Sequence, residues 1–149
     1  MDNIFISLII IFIGTFLIQL LIPNLIMINS IFDLKITYGK IYISLIVAIL
    51  VALIQLFIYN IYNPFNKLFY IPFIIIIIIL IYLYRFQVYI DDSEYLKEMI
   101  EYNSMSILVS NNISKKTANK EVKRIANDII NEKQTEINLM KKIISENKI

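Results

Sequence analysis

Six consecutive isoleucines, Ile74 to Ile79, lie inside a run without charge from Leu68 to Tyr84. In water such a run reads as a buried strand, because β-branched side chains favour extended backbone. Its length and its flanks point elsewhere. A hydrocarbon layer of about 30 Å takes about 20 helical residues. Lys67 and Arg85 bound the run and can hold their charges at the interface on apolar stems. Tyr70, Tyr82 and Tyr84 supply interfacial rings. In lipid a lone segment satisfies its own backbone only as a helix. The run therefore predicts a transmembrane helix over about residues 68–87.

Two stretches of the same kind precede it. The first, about 4–28, is too long for a signal peptide and begins with Asp2 rather than a basic residue, so a retained helix is expected. Pro23 should kink it or end it early. The second covers about 41–60, after a loop from Asn29 to Lys40. Ser44, Ala48 and Ala52 fall at i, i+4 and i+8 on it, one narrow face that lets another helix approach closely. Gln19 and Gln55 are amides well inside the spans. In antiparallel helices they would differ by roughly 10 Å in depth at about 1.5 Å per residue, so they should not bond to each other. Packing roles are expected for both. Apart from Arg85 at the end of the third, the spans contain no charge, which argues against a transport path. A turn at Asn63-Pro64 separates the second span from the third.

The chain divides accordingly into a membrane domain, 1–90, and a polar domain, 91–149. Of the 149 residues, 58% are apolar, too many for a soluble domain of this size. Lys35, Lys40, Arg85 and the lysine-rich C-terminal part share one side of a three-span protein. The positive-inside rule makes that side cytoplasmic and puts the N-terminus outside.

The polar domain reads as two amphipathic helices. One runs from about 93 to 110, capped by Ser93 and ended by Asn111-Asn112. The other runs from about 119 to 146 with Asn119 as N-cap. Its stripe of Val122, Ile125, Ala126, Ile129, Ile130, Ile137, Met140, Ile143 and Ile144 follows the helical period, interrupted by Lys133. Fewer than 60 residues give a thin core, and two helices cannot cover both stripes. Such a hairpin should dimerise into a four-helix bundle or rest on another surface. The expected fold class is all-α: three transmembrane helices and an antiparallel helical hairpin.

The stretch from Met99 to Ile107, followed by Val122, Ile125-Ala126, Ile129-Ile130, Glu136-Ile137 and Met140, resembles the domain of unknown function 305 family. Arg85-Phe86-Gln87 and Asp91-Asp92 are similar to a segment that many members carry between their spans and the domain. The resemblance covers about residues 36–147 and implies half of a ferritin-like four-helix bundle. It also implies metal handling, often of copper, through a Met-x-Pro-His-His motif. Met99 matches the methionine of that motif, but Glu101, Tyr102 and Asn103 replace the proline and both histidines. Lys133 replaces a glutamine, while Glu136 and Met140 are kept.

The chain has no Cys and no His, which excludes thiolate nucleophiles, histidine triads and the usual zinc sites. The remaining soft donors, Met99, Met105 and Met140, suit only Cu(I). Methionine on an apolar helix face more commonly fills a core. No catalytic residue, cofactor-binding residue or cofactor is expected. The net charge of +2 decides nothing about nucleic acid, and no such partner is expected. The sequence thus predicts a non-enzymatic integral membrane protein. Its partners are the lipid bilayer and, through the hairpin, a second copy or another protein. A methionine-based copper protein is the alternative.

Overall fold

The computed structural model describes residues 2–63 and 67–146. Its elements are α1 (Asp2–Met27), a 3-10 turn (Ile31–Asp33), α2 (Tyr38–Tyr62), a second 3-10 turn (Lys67–Phe69), α3 (Tyr70–Arg85), α4 (Asp92–Lys116) and α5 (Lys120–Ser145). The described residues form helices and turns without strands. Two compact units result, Met1–Pro23 with Tyr38–Tyr89, and Asn24–Thr37 with Ile90–Ile149.

In the first unit, α1 and α2 are long and apolar enough to cross a membrane. The third expected span is shorter than its apolar run. α3 has 16 residues, about 24 Å of helix against the expected 30 Å. Both ends have a local cause. Pro72 has no N–H to give to the carbonyl of Leu68, which favours its place in the first turn of α3, and Lys67–Phe69 takes a 3-10 turn. At the other end Gln87 adopts a left-handed conformation, with φ of 53°. The N–H of Val88 donates to the Leu83 carbonyl at 3.0 Å and that of Gln87 to the Tyr84 carbonyl at 3.2 Å. This is a Schellman stop built on glutamine rather than glycine. The helix expected to reach residue 87 therefore ends at Arg85.

Tyr42, Ile49 and Leu80 form the centre of this unit, with Phe12 of α1 packed against them. The Tyr42 hydroxyl donates to the Val88 carbonyl at 2.9 Å, joining the start of α2 to the turn after α3. The two helices are thus antiparallel. Ser44, Ala48 and Ala52 are all buried, as their shared face requires. Pro23 lies within α1, which continues to Met27. No hydrogen bond joins Gln19 to Gln55 among the described residues, and both are half-buried. The Asn63-Pro64 turn falls largely outside the described residues.

In the second unit, α4 and α5 pack side by side, joined by Thr117–Asn119. Ile100, Ile107, Ile137 and Met140 form the core, flanked by Leu96, Met99, Ile130 and Ile144. The N-cap of α4 is Asp91 rather than Ser93, its carboxylate accepting the Glu94 N–H at 2.8 Å. An ionised cap at the positive helix end is the stronger choice. Asn119 caps α5 as expected, accepting from the N–H groups of Glu121 and Val122. Asn111 and Asn112 do not end α4, which runs six residues past 110 to Lys116. The Asn111 amide reaches Asn29 Oδ1 at 3.4 Å, and Lys115 and Lys116 suit the negative helix end.

Candidate functional site

The hairpin has two broad sides that differ in what covers them. On one side lies the connection between α1 and α2. Asp33, in its 3-10 turn, is buried and accepts from the Ser104 hydroxyl at 2.8 Å. The Lys141 ammonium pairs with its other oxygen. Ser104 also accepts the Asn29 N–H at 3.1 Å, and Glu101 accepts the Lys35 N–H at 3.2 Å. One carboxylate thus ties the connection to α4 and α5 at once. Burying a charge is costly unless it is paired and hydrogen-bonded, and this one is both. Sequence reasoning missed this clasp, since an aspartate in a short loop reads as ordinary turn chemistry. The available signal was Ser104, a small polar residue amid the core positions of α4.

The other side carries a polar cluster in an apolar surround. Glu136 of α5 accepts the Asn103 amide of α4 at 2.8 Å. The Lys133 ammonium lies 3.0 Å from both Glu136 oxygens. That bond holds the Glu136 carboxyl below the usual carboxylate range, helped by Asn103, and raises the Lys133 ammonium above its ordinary value. Next to it Met105, Ser106, Val109 and Ser110 of α4 and Ile129 and Lys133 of α5 line an open groove of about 430 Å³.

The three candidate metal ligands do not converge. Met140 belongs to the apolar core and Met99 packs against it, while Met105 lines the groove. The residues standing where the family motif has its proline and histidines have other tasks. Glu101 holds the Lys35 N–H, the Tyr102 hydroxyl donates to Glu98 at 2.8 Å, and Asn103 holds Glu136. The kept glutamate carries a lysine cation on both its oxygens. This donor set does not fit a metal, because the nearest carboxylate is already neutralised and a cation would meet the Lys133 charge. Among the described residues, no group of three or more His, Cys, Asp or Glu could hold an ion.

Residues 83–144 match the family described as Domain of unknown function (DUF305). This part of the chain is a DUF305 domain. It begins in the last turns of α3 and takes in α4 and nearly all of α5. An uncharacterised protein of Acanthamoeba polyphaga mimivirus is 43% identical over 68 residues, which is 46% of this chain and 45% of that protein. The chain therefore matches less than half the length of this relative. No solved structure matches the chain. Against the family pattern, the DUF305 hairpin here keeps the apolar packing positions and puts a tethered ammonium beside the glutamate.

Proposed function

We propose that the protein is a non-enzymatic, membrane-anchored DUF305 hairpin whose task is to bring protein surfaces together at a bilayer. α1 and α2 are the anchors. α3, antiparallel to α2, lies in the same layer. With three crossings, the connection between α1 and α2 and the segment after α3 fall on one side of the membrane. Lys35, Lys40 and Arg85 add positive charge there, which favours the cytoplasmic face. The hairpin supplies half of a four-helix bundle.

The observation that carries this reading is the contrast between the two hairpin sides. One is closed by the Asp33 clasp, and the other exposes large apolar side chains to water. Surfaces of that kind mark interaction sites. The Lys133–Glu136–Asn103 cluster favours docking over metal capture. The test is alkaline carbonate extraction of membranes, followed by mass measurement of the detergent-solubilised chain. Retention in the membrane and an assembly larger than one chain are expected. Release into the carbonate supernatant overturns the anchoring, and a strictly monomeric chain with no bound partner overturns the docking.

A further inference from the structure

We infer that the uncovered side of the hairpin is a homodimer interface, where a second copy packs the same side against it to complete a four-helix bundle. This rests on the docking reading above and specifies both surface and partner. On α4, Tyr102, Val109 and Ile113 are exposed, and on α5, Val122, Ile125 and Leu139 are exposed. Their spacings are seven and four on α4 and three and fourteen on α5, all compatible with one seam along each helix. Val109 shares a groove with Ile129 of α5, which follows Val122 and Ile125 by seven and four residues on one helix face, so the α4 seam and this part of the α5 seam lie on one side. That side lies opposite the one where Asp33 meets Ser104 and Lys141.

Area and charge select the occupant. α4 has 25 residues and α5 has 26, each about 38 Å long. Two such helices about 9 Å apart present a strip about 20 Å wide. The strip offers about 700–800 Å², close to the ~800 Å² per partner of a stable complex. A two-fold axis lets one patch serve both copies. The charges permit this burial, since Glu136 and Glu132 both pair with the Lys133 ammonium, at 3.0 and 3.7 Å. The anchor also confines two copies to one plane, which raises their effective concentration.

The chain has no native cysteine, so single cysteines report the interface directly. Val109→Cys and Ile125→Cys probe the seam, while Asn127→Cys and Gln134→Cys probe exposed positions away from it. Each full-length variant is reconstituted in bilayer nanodiscs large enough for two copies and treated with a short bis-maleimide. The seam variants should give a covalent dimer at least tenfold more abundant than the control positions give. Adding Ile125→Glu to the Val109→Cys chain should abolish that dimer, with helical content unchanged by circular dichroism. Dimers by mass that crosslink only at Asn127 or Gln134 would overturn this interface and leave self-association standing. Monomers by mass, with no crosslink anywhere, would overturn both. If Ile125→Glu lowers helical content, Val122→Lys at the rim of the seam takes its place. An undiminished dimer in that variant also counts against the interface.

Discussion

Ile78 in the first unit and Val109 in the second are both 61% exposed, yet the two exposures mean opposite things. Around Ile78 the whole helix is apolar, and its neighbours Ile74, Ile75 and Ile79 are exposed as well. Such a surface is at rest in hydrocarbon, where burial of apolar area supplies no drive between helices. Around Val109 the helix carries Asn, Ser and Lys, and on the proposed reading water is the solvent. There an apolar strip is a surface awaiting a partner. The interiors differ in the same way. The first unit buries small residues, Ser44, Ala48 and Ala52, that let helices approach. The second buries Ile100, Ile107 and Ile137 together with a polar group at Asp33, Glu101, Asn103 and Ser104. Close approach holds the one, and apolar burial with the Asp33–Ser104 hydrogen bond holds the other.

The sharpest way to break this comparison is to delete the same atoms in both units. Ile137→Ala, in the hairpin core, should cost about 3 kcal/mol (range 2–5), whereas Ile78→Ala on the outer surface of α3 should cost under about 1 kcal/mol. Thermal denaturation of the full-length chain in mild detergent measures both. Equal losses would mean that the two units obey one rule.

The clasp comes next. Asp33→Ala strips the Ser104 hydroxyl and the Lys141 ammonium of a buried acceptor, and should destabilise the second unit by about 1–3 kcal/mol. Hydrogen exchange should accelerate at Asn29 and along Asn24–Thr37, while the amides at the centre of α2 stay protected. The reverse experiment belongs to the first unit. Ala48→Leu adds bulk at a fully buried small position and should cost about 1–3 kcal/mol by overpacking, leaving the hairpin amides unchanged.

The smallest effect is electrostatic. Glu136 has a lowered pKa in the folded chain, so its contribution is present above the ordinary carboxylate range and is lost as pH falls through the folded value. Lys133 has a raised pKa, so its contribution holds at neutral pH and is lost only as pH rises through that value. Both groups are solvent-screened, so the pH dependence should be shallow, and Glu136→Gln should flatten its acid limb. The same pair bears on metal binding. Titration with Cu(I) should show no saturable uptake, and changing Met99 and Met140 to Leu should leave the titration unaltered.

Much of the fold was legible in the sequence because it rests on local rules. The apolar runs, the cap at Asn119 and the small-residue face of α2 all follow from spacing and solvent. The departures came where one residue outweighed a pattern. Pro72 and Gln87 shortened α3 although the apolar run was continuous, because hydropathy does not register a missing N–H or a left-handed backbone. Asn111-Asn112 read as a stop, yet neighbouring packing carried the helix through, as tertiary context commonly does. Asp91 took the cap from Ser93 two residues earlier. Within the site, the loss of the paired histidines was plain, whereas the Lys133–Glu136 pair went unread although its i, i+3 spacing allows it. The Asp33 clasp was not, because it joins residues 71 and 108 positions apart.

The central claim is that one half of the molecule is solvated by lipid and the other by water. Single cysteines at Ile54, Ile78 and Gln134, labelled in native membranes opened to both sides, test it most directly with a water-soluble maleimide. Gln134→Cys should label within minutes, and Ile54→Cys and Ile78→Cys should label only after detergent is added. Labelling of Ile78→Cys at the rate of Gln134→Cys, with the membrane intact, would contradict the account.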